Sequence, residues 1–244
     1  MEQDDGQFYD ALASLYNQDW GTVYLATARE QFAKHLQPHL PAGSSILDLC
    51  CGTGQMASAL VADGYQVTGV DLSPGMIAYA RTQAPDARFV LGEMAEFALG
   101  ERFDAVICSF NSLNHARGAR HLTRTLQNVH HHLLPGGWFF GDLVLAEGYA
   151  NSWNRTATVD VDGGECQLNF RYEPRRQRAY CDATLRMEGK TQLQVRMRQH
   201  VFAPKEIYEA CAIAGLRVEG LLAIPGDPPT GRVLLLARRP SQPR

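Results

Sequence analysis

The pattern of apolar and polar residues divides the chain into three parts. Between residues 8 and 40, apolar side chains recur at helical spacing until Pro38 and Pro41, which predicts a helical segment. From residue 45 to residue 145, short apolar strands alternate with helices, as in βαβ units that build a parallel sheet covered on both faces. The predicted strands span 45–50, 66–71, 88–91, 103–110 and 138–145, with helices at 55–62, at 122–134 and from Pro74 onward.

The periodicity changes beyond residue 150. Alternation with a period of two, interrupted by turns, predicts an antiparallel β insert. The α/β pattern then returns with a helix at 204–214, a strand at 216–222, a loop at 225–229 and a strand at 232–237. We therefore expect one α/β domain, residues 1–150 and 202–244, interrupted by a β insert at 151–201. The predicted insert strands span 156–161, 166–172, 179–188 and 192–201.

Composition and charge narrow the class of protein. The 244 residues are 45% hydrophobic and 20% charged, which is typical of a globular chain. A net charge of −3 gives no indication of a nucleic-acid partner or an anionic membrane. No apolar run reaches the ~18 residues of a membrane helix, and the acidic N-terminus lacks the features of a secretory signal. Because the six cysteines form no CxxC pair, we expect a reduced, cytoplasmic enzyme without a metal.

The segment that gives the clearest indication of a ligand-binding site begins at Ile46. Asp48 lies in a buried strand that runs into a glycine-rich turn and a helix N-terminus, where backbone N–H groups can approach a polar ligand. Asp71 ends the next strand, close to the ~20-residue spacing at which an acid accepts the ribose hydroxyls of a nucleoside. The turn lacks the third glycine of the dinucleotide fingerprint, which argues against a nucleotide-dependent oxidoreductase.

These segments resemble class I S-adenosylmethionine-dependent methyltransferases over about residues 8–145 and 204–238. The resemblance implies a Rossmann-like, seven-stranded, mostly parallel sheet whose last strand, at 232–237, is antiparallel. It also implies S-adenosyl-L-methionine as the cofactor. Cysteine stands at position 50, where the family often has glycine, and glutamate stands at position 93, where aspartate is common. The resemblance rests on ILDLCCGTG (46–54), VDLSPGM (70–76), GEM (92–94), FDAVIC (103–108) and LPGG (134–137).

The resemblance also implies which residues would bind the cofactor. Asp71 would hold the ribose, Glu93 would contact the adenine, and Asp48 would order the glycine turn near the ammonium group. Tyr16 could cover the sulfonium through a cation–π interaction, or it could serve helix packing alone. The complete predicted set is Tyr16, Asp48, Cys50, Gly52, Gly54, Asp71, Leu72, Met76, Glu93, Met94 and Ser109.

A narrower resemblance, to small-molecule methyltransferases with a β lid after the fifth strand, suggests where the acceptor binds. Amino-sugar N-methyltransferases are of this type, but the acceptor does not carry over. His115 follows the fourth strand and is predicted to act as a general base or to orient the nucleophile, with a surface-loop histidine as the alternative. The insert leaves the sheet at its carboxyl edge and is predicted to roof the acceptor. The predicted acceptor-binding residues are Trp20, Asn111, Trp153, Tyr172, Arg198 and His200.

The expected reaction is methyl transfer from S-adenosylmethionine to a nitrogen or oxygen nucleophile of a small molecule, giving S-adenosylhomocysteine. One alternative is a protein that binds the cofactor without transferring a methyl group. The apolar face of the insert must be buried, either by the α/β domain or by a second subunit, so a homodimer is compatible with the sequence.

Overall fold

The computed structural model describes residues 5–161, 163–189, 191–225 and 231–241. Most of the predicted loop at 225–229 lies outside these ranges, as do residues 1–4 at the acidic N-terminus. The chain begins with α1 (Asp5–Leu15) and α2 (Gly21–His35). A π-helical turn at Tyr16–Trp20 joins them, so the helical segment is continuous from Asp5 to His35.

The remaining elements follow the predicted order. The later helices are α3 (Gln55–Ala62), α4 (Pro74–Gln83), α5 (Ala119–His132), α6 (Ala146–Ser152) and α7 (Pro204–Ala214). The strands are β1 (Ser45–Leu49), β2 (Gln66–Asp71), β3 (Arg88–Leu91), β4 (Phe103–Cys108), β5 (Leu133–Val144), β6 (Arg155–Val161), β7 (Gly164–Glu173), β8 (Arg178–Met187), β9 (Leu193–His200), β10 (Arg217–Ala223) and β11 (Arg232–Arg238).

Seven strands form the main sheet in the order β10-β11-β5-β4-β1-β2-β3. The five strands from β1 to β5 pair in parallel, whereas β11 runs antiparallel to both β5 and β10. The predicted Rossmann-like sheet with an antiparallel last strand is therefore confirmed. Both faces of the sheet are buried in separate apolar clusters under the helices, as its continuous apolar strands require.

Two local differences from the predicted pattern lie around β5. Helix α5 ends at His132 and β5 begins at Leu133, so the predicted turn at 135–137 belongs to an irregular first part of the strand. A Cβ on Gly137 would lie 2.9 Å from the Leu134 carbonyl oxygen, which shows how closely the backbone folds on itself there. At the other end, α6 was not expected, and it links β5 to the insert.

The insert is a separate antiparallel sheet in the order β6-β7-β8-β9. Its apolar face packs against Phe8, Leu12 and Leu15 of α1 and buries Leu168 and Met197 in a shared cluster. The N-terminal helix of the same chain therefore covers the face that alternation required to be buried. Within the described ranges, no helix is long and apolar enough to cross a membrane.

Gly54 shows how tightly the start of α3 fits against the sheet and its neighbours. The residue adopts a left-handed backbone (φ 85°), and a Cβ there would lie 2.9 Å from the Cα atom of Ala80 in α4. Gly54 is therefore required by both backbone conformation and helix packing.

We expect Gly54→Ala to lower the free energy of unfolding by roughly 2–5 kcal/mol. About 1–2 kcal/mol comes from a left-handed Cβ and ~1–3 kcal/mol from overpacking. Gly64→Ala is the matched control, because Gly64 has a similar φ of 89° but no atom within 4 Å of its added Cβ. Denaturant unfolding of both variants measures the difference, and equal losses would contradict the packing role of Gly54.

Candidate active site

The carboxyl ends of the parallel strands open into one cavity of about 980 Å³. Segments that follow β1, β2, β3 and β4 form one wall, while α1, α2 and the insert enclose the remaining space. This volume lies at the upper end of the range for small-molecule sites, so two ligands can occupy it together. The predicted site residues that line the cavity are Tyr16, Trp20, Cys50, Gly52, Asp71, Leu72, Met76, Glu93, Met94, Ser109, Asn111, His115, Trp153 and Arg198.

Two residues predicted to bind the acceptor lie away from this cavity. The Tyr172 ring packs against Tyr149, with 5.7 Å between ring centroids, and the His200 ring packs against Phe202 at 4.3 Å. The residues of β9 that line the cavity are Met197, Arg198 and Gln199. The structure thus corrects the expected placement of Tyr172 and His200 and brings forward Gln199, which the sequence analysis missed.

The two remaining predicted residues, Asp48 and Gly54, lie behind the cavity wall, and the turn between them holds an unusual backbone. Cys50 has a left-handed φ of 59°, which a glycine adopts without strain and a side chain resists. Gly52, at φ 54°, lies under the Tyr16 ring, and a Cβ there would be 3.4 Å from Tyr16 Cε1. Tyr16 therefore covers the turn closely, in a position to contact a ligand that lies along it.

Asp71 is held at the end of β2 by the turn that follows β1. Its Oδ2 atom accepts the Gly52 N–H at 2.9 Å, and its Oδ1 atom accepts the Ser73 N–H at 2.9 Å. Burial raises the pKa of Asp71, and the two backbone hydrogen bonds limit this rise. Since each carboxylate oxygen has a further lone pair, the group can also accept two hydroxyl groups of a ribose.

Asp48 is a buried carboxyl group with an unsatisfied oxygen. Only 2% of the residue is exposed, and its Oδ2 atom has no hydrogen-bond partner. Burial and the nearby Asp71 carboxylate raise the pKa of Asp48 to about 8. The buried Ser109 Oγ atom, which follows the adjacent strand β4, also lacks a partner. Two buried acceptors of this kind suit the ammonium group of S-adenosylmethionine, because an unpaired buried polar atom is costly.

Glu93 follows β3 on the same wall, and its two carboxylate oxygens both have partners. Oε1 lies 3.1 Å from His121 Nε2, and Oε2 accepts the Ala95 N–H at 2.7 Å. Burial raises the pKa of Glu93, but these partners outweigh it and the pKa is lowered, so the group is ionised near neutral pH. His121 at the start of α5 was not predicted, because nothing in the local sequence relates it to Glu93.

His115 is engaged at both ring nitrogens, so it is not a free surface histidine. Its Nδ1 atom lies 3.2 Å from Asp5 Oδ2. Its Nε2 atom lies 2.9 Å from the Tyr9 hydroxyl and 3.0 Å from Gln199 Nε2. α1, the loop after β4 and the last strand of the insert therefore meet at one imidazole ring. Asp5 and Gln199 are 110 and 84 residues from His115 in the chain, and no local signal could have identified them.

A buried ion pair forms another part of the cavity wall. The Arg232 guanidinium of β11 contacts the Asp142 carboxylate of β5 and donates to Asn111 Oδ1 at 3.1 Å. Asp142 also accepts the Asn111 N–H at 3.0 Å, which holds Asn111 in a left-handed conformation with φ 53°. Asn111, predicted to bind the acceptor, is therefore part of a preformed polar network on the cavity wall.

Comparison with known proteins agrees with this geometry. A family model described as a methyltransferase domain matches residues 46–137. The dTDP-3-amino-3,6-dideoxy-alpha-D-glucopyranose N,N-dimethyltransferase of Streptomyces fradiae is 34% identical over 62% of this chain and 60% of its own length. The dTDP-3-amino-3,4,6-trideoxy-alpha-D-glucopyranose N,N-dimethyltransferase of Streptomyces venezuelae is 31% identical over 66% of this chain and 67% of its own length. The chain therefore aligns with 60 to 67% of the length of these two relatives.

Solved structures resemble the chain over nearly its whole length, including the insert. DesVI from Streptomyces venezuelae superimposes with a TM-score of 0.72 and 29% identity, over 97% of this chain and 99% of its own. The sugar N-methyltransferase KedS8 from Streptoalloteichus sp ATCC 53650 has a TM-score of 0.76 and 23% identity, over 93% of this chain and 92% of its own, and supports the fold alone.

Asp71→Ala should weaken the binding of S-adenosylmethionine at least tenfold, because hydrogen bonds to a charged group contribute ~1.5–3 kcal/mol each. Asp71→Asn keeps the size of the side chain and should also weaken the binding of S-adenosylmethionine. Asp86→Ala, which removes an exposed carboxylate from the same domain, is the charge-matched control. Titration calorimetry measures all three affinities, and unchanged binding in both Asp71 variants would refute the ribose assignment.

Binding of the cofactor should release close to one proton at pH 7. With a pKa of about 8, Asp48 is mostly protonated there, and an approaching ammonium group favours its ionised form. Affinity should therefore fall as the pH drops below about 8. Asp48→Asn should release no proton at pH 7, which separates this effect from titration of the cofactor's own amino group. Calorimetry in buffers of different ionisation enthalpy counts the protons, and equal counts in both proteins would contradict the role of Asp48.

Proposed function

The chain belongs to the S-adenosylmethionine-dependent methyltransferases, and we propose that it transfers the cofactor's methyl group to an amino nitrogen of a small molecule. One observation carries this proposal: Asp71 and His115 line the same cavity. The wall that would bind the cofactor and the histidine that would act as the base therefore belong to one cavity. The amino-sugar N,N-dimethyltransferases among the relatives support nitrogen as the acceptor atom and an amino sugar as the class of substrate.

The cofactor would lie along the ends of β1 to β4. Bound S-adenosylmethionine supplies an electrophilic methyl group on a positively charged sulfur. Asp71 would accept the ribose hydroxyls, Glu93 would lie at the adenine end, and Asp48 would pair with the ammonium group. The Tyr16 ring, which lies over the Gly52 turn, would face the sulfonium and favour its charge by a cation–π interaction.

His115 would remove the proton that an ammonium group must lose before its nitrogen becomes a nucleophile. Asp5 accepts from Nδ1, which leaves the lone pair of the ring on Nε2. The amine would donate an N–H to this atom and pass its proton there, and its nitrogen lone pair would then attack the methyl carbon. Little further chemistry is needed, so alignment of the two ligands supplies much of the rate, up to ~7–11 kcal/mol in favourable cases.

The insert would close the acceptor side of the cavity. Trp153 and Phe170 pack edge to face with 5.1 Å between centroids, and together with Met197 they provide an apolar wall. Arg198 adds a positive charge beside this wall, and Trp20 lies at the side of Tyr16, with 6.2 Å between centroids. This enclosure would exclude water from the reacting atoms and hold an acceptor that has both apolar and polar groups.

A panel of acceptors tests the proposed function directly. The protein is incubated with methyl-labelled S-adenosylmethionine and amines, free amino sugars, nucleotide-linked amino sugars or their hydroxyl analogues. We expect S-adenosylhomocysteine and an N-methylated product, which mass spectrometry identifies, from at least one amino sugar. Methylation of the hydroxyl analogues alone would overturn the nitrogen assignment. Cofactor binding without any product across the panel would favour a binding protein over an enzyme.

His115→Ala should lower kcat by roughly 10²–10⁴ and leave cofactor affinity nearly unchanged, because a positioned base acts on the reacting proton. The exposed His131→Ala is the matched control and should retain full activity. Steady-state kinetics on the acceptor found above, with calorimetry for the cofactor, separate the two effects. A loss below about threefold in His115→Ala would exclude His115 as the base.

A further inference from the structure

Gln199 links the insert to His115 through an amide whose two ends have different partners. The residue lies at the cavity end of β9 and is only 2% exposed. Its Oε1 atom accepts the hydroxyl hydrogen of Tyr149 at 2.8 Å, and its Nε2 atom lies 3.0 Å from His115 Nε2. The mechanism proposed above uses His115 but gives no role to this amide.

The amide places a chemical requirement on the imidazole. An amide nitrogen only donates hydrogen bonds, so His115 Nε2 must accept and can carry no hydrogen in this arrangement. The ring hydrogen then resides on Nδ1, which lies 3.2 Å from Asp5 Oδ2. The other oxygen of Asp5 accepts the backbone N–H of Arg198 at 3.1 Å. Two consecutive residues of β9 therefore act on His115, Gln199 directly and Arg198 through Asp5.

We propose that Gln199 is a positioning residue, which holds His115 in the neutral tautomer with Nδ1 protonated and Nε2 ready to accept a proton. The proposal rests on the function proposed above for its catalytic meaning, but the tautomer itself is a property of the protein alone. It makes the insert part of the proton-transfer machinery as well as a cover for the acceptor.

Tyr149 contacts the other end of the Gln199 amide. The Tyr149 residue is fully buried, and burial raises the pKa of its hydroxyl, so it remains protonated and available to donate. In this structure it donates to Oε1, which leaves the amide nitrogen on the side of His115. A reversed amide would present its oxygen to His115 and favour a hydrogen on Nε2, which would abolish the acceptor function of that atom.

The charged groups around His115 act in both directions. Asp5 from α1 and Asp71 after β2 both favour a positively charged ring, and Asp71 interacts electrostatically with His115. Arg198 and Arg117 line the same cavity and favour the neutral form. With Gln199 donating to Nε2, the Tyr9 hydroxyl at 2.9 Å must donate to the same lone pair, and burial raises its pKa and keeps it protonated. One lone pair cannot serve several donors fully, so an incoming amine must compete with both Tyr9 and Gln199 for it.

Substitution Gln199→Glu tests the proposal with a side chain of the same shape. The carboxylate would accept a hydrogen from His115 Nε2, so the ring should hold its proton to higher pH. The acid limb of the pH profile of kcat/KM should then move up by at least about one pH unit, as an opposite charge at this distance requires. Activity at pH 7 should fall and recover at higher pH, with cofactor affinity within about twofold. Gln167→Glu adds the same charge on an exposed position of β7 and should leave the profile unchanged.

Nitrogen-15 NMR of histidine-labelled protein without cofactor or acceptor gives an independent readout, with His115→Asn to assign the signal. We expect the neutral His115 ring of the native protein to carry its hydrogen on Nδ1, and Gln199→Glu to shift the titration of this ring upward. A hydrogen on Nε2 in the native protein would overturn the proposal, as would an unchanged titration in Gln199→Glu. Because the native spectrum needs no acceptor, it is decisive even if no amine is methylated.

Discussion

Asp48 and Asp71 are two carboxyl groups buried at neighbouring strand ends. The surrounding residues must compensate for the cost of burying them. Burial raises the pKa of both, and the Asp71 carboxylate raises the pKa of Asp48 further. Asp71 is supported by N–H groups of Gly52 and Ser73, which the left-handed turn after β1 and the start of α4 present. Asp48 has an oxygen without such support, so the site favours a cation.

The N-terminal helix completes the site from the opposite side. Asp10 of α1 accepts the Ser73 hydroxyl at 2.5 Å and the Gly75 N–H at 2.8 Å, which ties the helix to the start of α4. At its other end, Asp5 joins α1 to His115 and to β9. The same helix buries the apolar face of the insert. Helix α1 therefore contacts all three parts of the proposed site, namely the cofactor wall, the base and the acceptor cover.

This arrangement separates two tasks within one cavity. The wall after β1 to β3 carries anionic and polar acceptors, which suit a cationic nucleoside. The opposite side carries an imidazole acceptor, aromatic rings and arginine side chains, which suit an amine on a polar small molecule. Such a division suits a reaction that needs only the alignment of two ligands and the removal of one proton. Each ligand is then positioned by its own set of contacts.

The sequence by itself predicted most of the elements and the proposed cofactor wall, because those features depend on local spacing. Strand periodicity, the turn around Gly52 and the acid at Asp71 each lie within a few tens of residues, and the antiparallel last strand followed from the resemblance to the family. Only the tertiary structure decided how His115 is held, since Asp5 and Gln199 lie 110 and 84 residues from it in the chain. It also decided that Gln199 rather than His200 reaches the cavity, because the His200 ring packs against Phe202 instead.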